Sequence, residues 1–136
     1  MLTEAPSLLI TDDDSAFRET LQDVFEPQGY RTLLAGDGEE ALAIVRAREV
    51  HLVLMDMHMP KLTGLETIRI LKKFKAVLPC ILMSARLDDL LIEQAQLAKA
   101  FSVLAKPVTR IQITRTVRLA LKRTYDWPEN GTAEVV

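Results

Sequence analysis

The feature that most constrains this chain is the recurrence of short apolar runs, at residues 8–11, 30–35, 52–56, 80–84 and 101–105, roughly 20 to 30 residues apart, with room for a crossover between each pair. Their hydrophobicity is continuous rather than alternating, which suits strands covered on both faces, as in a parallel sheet. The stretches between them carry helical spacing instead. Phe17, Leu21, Val24 and Phe25 form one stripe, and Gly29 is placed to follow its end. Leu42 with Val45, and Leu65, Ile68 and Leu71, form shorter stripes. Leu87, Leu90 and Leu91 are expected to open a fourth helix, and Ile113, Val117, Ala120 and Leu121 mark a fifth.

Five strand–helix units in alternation predict an α/β fold with right-handed crossovers. A barrel of such units needs about 250 residues, and the chain has 136. The expected architecture is therefore a flavodoxin-like, doubly wound (βα)5 three-layer sandwich around a five-stranded parallel sheet of order 2-1-3-4-5. Residues 1–125 are read as one domain, and residues 126–136, which turn polar, as a flexible tail from which Trp127 can still dock on the body.

Composition narrows the function classes. An apolar fraction of 49% with 26% charged residues is that of an ordinary globule. A formal net charge of −2 gives no case for direct nucleic-acid binding. Cys80, the single cysteine, lies inside an apolar run. It reads as a buried structural thiol in a reducing compartment, so a cytoplasmic location is expected. Residues 1–6 lack the basic and apolar segments of a secretory signal. No apolar run approaches the roughly 20 residues needed to cross a bilayer.

Parallel strands all end at one edge of the sheet, where ligands bind. The first run is followed by Asp12, Asp13 and Asp14, the third ends on Asp56, the fourth on Ser84, and the fifth is followed by Lys106 and Pro107. Each has an ordinary explanation alone. Asp14 before Ser15-Ala16-Phe17 reads as a helix cap, Asp56 ahead of Pro60 as a turn residue, Ser84 as a partner for backbone, and Lys106 as a solvated lysine. A helix needs only one cap, which leaves Asp12 and Asp13 unexplained, and four strand ends with complementary chemistry do not reduce to coincidence. Two charges about 4 Å apart repel by roughly 4 kcal/mol at an effective dielectric near 20. A proton or a hard cation must relieve that, and Mg2+, with Mn2+ as the alternative, is the ion such carboxylates take. A carboxylate beside such an ion and a lysine can attack a phosphoryl group, and the product is an aspartyl phosphate.

These residues resemble the receiver domain of two-component response regulators, including the single-domain chemotaxis regulator. The resemblance spans about residues 6–124. It rests on Asp12-Asp13, on the segment Ala35-Gly36-Asp37-Gly38-Glu39-Glu40-Ala41-Leu42, on Asp56-Met57-His58-Met59-Pro60 with Gly64 four residues further on, on Ser84-Ala85 and on Lys106-Pro107. It implies that Asp56 is the phosphoacceptor and that Asp13 is the principal metal-ligating carboxylate, with Asp12 acting mainly through an ordered water. The backbone carbonyl of His58 is the remaining protein ligand. Lys106 pairs with the phosphoryl group, Ser84 is the hydroxyl that turns toward it, and the Lys106–Pro107 peptide is cis. The resemblance also implies a sensor histidine kinase or a histidine phosphotransfer protein upstream. It implies no enzymatic activity beyond the chain's own phosphorylation and dephosphorylation, and a monomer or a phosphorylation-dependent dimer. Output is expected through the strand 4, helix 4, strand 5 and helix 5 face toward an effector that the sequence does not identify, in a stand-alone receiver or a piece of a longer regulator.

One position departs from the family. Where its members carry an aromatic that reorients on activation, this chain has Val103. Phe101, two residues earlier on the expected strand face, is a candidate substitute; otherwise output relies on backbone shifts of the strand 4–helix 4 loop. His58 and Arg86 occupy positions that vary in the family and tune the phosphorylated lifetime, and their bulk is expected to restrict water. Arg110, Arg115, Arg118, Lys122 and Arg123 make the last helix basic, a solvated face or a docking surface for an acidic partner. Two rivals fit less well. A magnesium-dependent phosphatase of the haloacid dehalogenase type wants an acidic residue where this chain has His58. A flavodoxin-like nucleotide binder would not line its first loop with Asp12 to Asp14, which repel a phosphate.

Overall fold

The computed structural model describes residues 5–128. The first four residues, and the tail from 129 onward, lie outside the described residues. Five strands, β1 (Ser7–Thr11), β2 (Arg31–Ala35), β3 (Leu52–Asp56), β4 (Cys80–Ser84) and β5 (Ser102–Ala105), alternate with five helices, α1 (Ser15–Phe25), α2 (Gly38–Ala47), α3 (Gly64–Phe74), α4 (Asp89–Leu97) and α5 (Arg110–Tyr125). The strands form one parallel sheet in the order β2-β1-β3-β4-β5, the expected flavodoxin-like arrangement.

The continuous apolar runs have a direct explanation in the two cores. Leu8 and Ile10 of β1, Leu52 and Leu54 of β3, and Ile81 and Met83 of β4 face α1 and α5, whose Leu21, Phe25, Ile113, Val117, Ala120 and Leu121 cover them. The intervening Leu9, Val53, Met55 and Leu82 face the opposite way, under α2, α3 and α4. Strand side chains alternate in direction, so a strand covered on both sides is apolar at every position. Cys80 is fully buried in the second core, and burial pushes its thiol up to about 12, which makes it an inert packing group.

All five helices begin at the edge where the strands end, and each N-terminus is closed by a side chain. Asp14, Asp37, Thr63, Asp88 and Thr109 each accept from backbone N–H groups of the following turn. Thr63 and Glu66 form a reciprocal capping box. Gly29 takes φ 98°, the left-handed conformation that closes the short 3₁₀ turn after α1.

Two expectations need correction. Leu87 lies outside α4, which starts at Asp89, and Leu90 is 61% exposed, so of the three leucines only Leu91 is buried. The true inward stripe is Leu91, Ala95 and Ala98, and alanines give a weak hydrophobic signal. Phe101 does not share a face with Val103: it packs with the α1/α5 core, while Val103 packs with the α2–α4 core. Phe101 sits in a bend before β5, where strand alternation does not apply.

Candidate functional site

The C-terminal ends of β1 and β3 are neighbours in the sheet, and they bring the carboxylates together. Asp12 is 1% exposed and Asp56 4% exposed, whereas Asp13 is open to solvent. One carboxylate oxygen from each of Asp12, Asp13 and Asp56 lies within 4.8 Å of the others. The Asp12 N–H donates to the Ala35 carbonyl at 3.1 Å, and its Oδ1 accepts the Asp14 N–H at 2.9 Å. Asp14 itself caps α1, accepting from the N–H groups of Ala16 and Phe17 at 3.0 and 3.4 Å. The three successive acids are thus divided between a helix cap and a cluster.

Lys106, which follows β5, reaches back across the sheet edge. Its Nζ stands 2.7 Å from Asp12 Oδ2 and 3.0 Å from Asp56 Oδ1. The peptide joining it to Pro107 is cis. The same ammonium sits 4.4 Å from the centre of the Phe17 ring, a cation–π contact. Reading Phe17 as core missed this. The available signal was its position as the first large apolar residue of α1, in the first turn of the helix that starts beside the acids.

Burial raises the Asp56 pKa from its ordinary value, and the charge of Asp12 adds to that; Lys106 and the His58 backbone N–H pull the other way. For Lys106, burial alone would lower the ammonium's pKa, but hydrogen bonds and charges from Asp12 and Asp56 override it and hold the group above its usual value. The lysine is therefore a fixed cation. It relieves part of the repulsion among three carboxylates, and two negative charges remain in excess.

Gly64 shows how tightly this edge is built. Its N–H donates to the Met57 carbonyl at 2.9 Å, and a Cβ there would overlap the Asp56 carbonyl group and come within 2.9 Å of Leu82 Cδ1. The α3 N-terminus consequently rests against the backbone of Asp56.

Ser84 closes β4 and is fully buried. Its hydroxyl accepts the Arg86 N–H at 3.0 Å, donates to the Arg86 carbonyl at 3.0 Å, and lies 3.3 Å from His58 Nε2. His58 and Arg86 are otherwise exposed. Val103 is half-buried against the α2–α4 core and brings no polar group to this edge.

The donor set suits a small hard cation: oxygen ligands only, two of them buried carboxylates, with an open side at Asp13. A carboxylate in such surroundings, with a lysine in contact and an excess of negative charge, is equipped to be a nucleophile toward a phosphoryl group.

Comparison with known proteins identifies the family. The family model described as the response regulator receiver domain matches residues 8–118. The chain is 30% identical over 130 residues to the transcriptional regulatory protein YvrH of Bacillus subtilis, covering 95% of this chain and 54% of that protein. It is 36% identical over 128 residues to the response regulator MprA of Mycolicibacterium vanbaalenii, covering 93% and 54%. The chain spans about half the length of these curated relatives. Among solved structures, the receiver domain of the Francisella response regulator 1452 superposes with a TM-score of 0.81 at 30% identity, over 88% of this chain and 98% of that one. A CheY-like receiver domain from Methanospirillum hungatei superposes with a TM-score of 0.87 at 22% identity, over 90% and 98%, and supports the fold. The chain belongs to the response regulator receiver domain family of two-component systems.

Proposed function

We propose that this receiver accepts a phosphoryl group on Asp56 from a histidine kinase or a histidine phosphotransfer protein, in a magnesium-dependent reaction. The observation that carries the reading is the contact of Lys106 Nζ with both Asp12 Oδ2 and Asp56 Oδ1, at an edge where three carboxylates converge. An Asp56 carboxylate oxygen attacks phosphorus; a P–O bond forms as the P–N bond of the donor phosphohistidine breaks, and the departing imidazole takes up a proton. Lys106 then exchanges a carboxylate partner for a phosphoryl oxygen, and the Ser84 hydroxyl donates to another. Asp12, Asp13, Asp56 and the His58 carbonyl are the groups to hold Mg2+, which when bound neutralises charge on the transferring phosphoryl group.

His58 and Arg86 stand at the mouth of this edge, and we infer that their bulk restricts water and lengthens the phosphorylated lifetime. Output runs through the β4, α4, β5 and α5 face toward an attached effector or a separate partner. The chain acts on no substrate besides its own phosphoryl group, contacts no nucleic acid directly, and works in the cytoplasm, as a monomer or a phosphorylation-dependent dimer. None of the described helices is long and apolar enough to cross a membrane.

Incubation with acetyl phosphate and Mg2+, followed by intact-mass measurement, tests the reading. A single phosphoryl adduct is expected for the native protein and none for Asp56→Asn or without Mg2+. An adduct that survives in Asp56→Asn overturns it. Decay of that adduct should quicken in Arg86→Ala.

A further inference from the structure

The hydroxyl of Ser84 has one proton to give and two lone pairs to offer. Three partners surround it: the Arg86 carbonyl and the Arg86 N–H, both at 3.0 Å, and His58 Nε2 at 3.3 Å. A carbonyl can only accept and a backbone N–H can only donate. All three contacts hold together in one arrangement: the Ser84 proton goes to the Arg86 carbonyl, and His58 carries its proton on Nε2 and donates it to Oγ. An otherwise exposed histidine thus turns its ring inward to a fully buried oxygen. It ties the loop after β3 to the loop after β4. The neighbouring strand β5 sets Ala105 in register with Ser84, and two residues before it stands the aliphatic Val103.

We propose that the His58 imidazole is the positioning residue of this hydroxyl: its Nε2–H orients the Ser84 oxygen, so that the hydroxyl proton is the donor that leaves the Arg86 carbonyl for a phosphoryl oxygen on Asp56. This rests on the phosphorylation reading above and goes beyond lifetime tuning, because it gives the side chain a partner and a direction. No proton is transferred between groups; one donated hydrogen bond changes acceptor. The Arg86 carbonyl loses its partner when the proton leaves, so the loop between β4 and α4 is held to Ser84 by the Arg86 N–H alone. The moving part is then a stretch of backbone next to α4, in place of a rotating ring on β5.

Two measurements test the role. The first needs no phosphorylation: long-range 1H–15N spectra of the histidine rings at pH 8.5, where an imidazole is ordinarily neutral. His58 is expected as the Nε2–H tautomer in the native protein, with that preference lost in Ser84→Ala. A ring that shows no tautomer preference, or the same one in Ser84→Ala, overturns the proposal. The second is the rate of adduct formation with acetyl phosphate and Mg2+ in a double-mutant cycle. His58→Ala should slow it by roughly three- to tenfold, the scale of one hydrogen bond. It should have no further effect in Ser84→Ala, and His58→Gln, which keeps an N–H donor, should recover most of the rate. Independent, multiplying effects of the two substitutions overturn the proposal. Absence of any adduct in the native protein speaks against the phosphorylation reading, while the tautomer spectra still decide the role of His58.

Discussion

At the scale of single residues, the site is a balance of charges in which each acid has a different neighbour. Asp12 is buried and held by Lys106, Asp56 is buried with its carboxyl pushed up mainly by that burial, and Asp13 is exposed with no lysine partner among the described residues. Asp13 is therefore the member that adds repulsion without a compensating contact. Asp13→Asn removes one negative charge and keeps the shape. In metal-free buffer the variant should be more stable by about 1 kcal/mol or less, given solvent screening at an exposed position, which amounts to a few degrees in Tm. Thermal melts with and without Mg2+ check this. Native protein should gain stability from the ion and the variant should gain little, while its adduct with acetyl phosphate disappears. A lower metal-free Tm for Asp13→Asn would mean that these carboxylates do not repel one another as the geometry implies.

At the scale of elements, most of the framework was legible because its signals are local. Apolar runs gave all five strands to within a residue or two, since a two-sided core demands an apolar residue at every strand position. Helices with large inward residues, such as Ile113, Val117 and Leu121, could be read from spacing; α4 could not be started correctly, because Ala95 and Ala98 carry its buried face while Leu87 and Leu90 point to solvent. The chemistry at the strand ends was legible through topology. What escaped were contacts made by side chains from distant elements: Phe17 under Lys106, His58 against Ser84, and Phe101 on the face opposite Val103. No periodicity encodes these. Gly64 lies between the two cases, visible as a glycine four residues after Pro60 but explained only by the backbone of Asp56 behind it. Gly64→Ala must push α3 away from β3, an overpacking that costs about 1–3 kcal/mol. Because the atom displaced is the Asp56 carbonyl, the same change should slow adduct formation, unlike a destabilising substitution elsewhere in α3. Urea melts and the acetyl phosphate reaction, run on Gly64→Ala and on Ile68→Val, separate the two effects.

At the scale of the whole molecule, the edge opposite the site is also specifically built, and it is where the chain after α5 was hardest to read. Composition turns polar at Asp126, yet Trp127 is 7% exposed. Its ring meets His51 and Tyr125 edge-on, with centroids 5.0 and 5.9 Å away. His51 accepts the Ser7 N–H on Nδ1 at 2.9 Å, and the Tyr125 hydroxyl donates to the His51 carbonyl at 2.8 Å. The start of β1, the segment before β3 and the end of α5 are thereby joined around one indole. A lone tryptophan after a helix gives no periodic signal, and its burial depends on His51, more than seventy residues earlier. Trp127→Ala removes a buried indole from this cluster and should cost about 3 kcal/mol, at the low end for such truncations because the site is near the surface. For a domain of this size that is roughly 10 °C in Tm. Adduct formation with acetyl phosphate should continue at close to the native rate below the lowered Tm, since the acids and Lys106 lie at the other ends of the strands. An unchanged Tm would mean that Trp127 leaves the body in solution; a large loss of reactivity at low temperature would mean that the two edges are coupled through the sheet rather than independent.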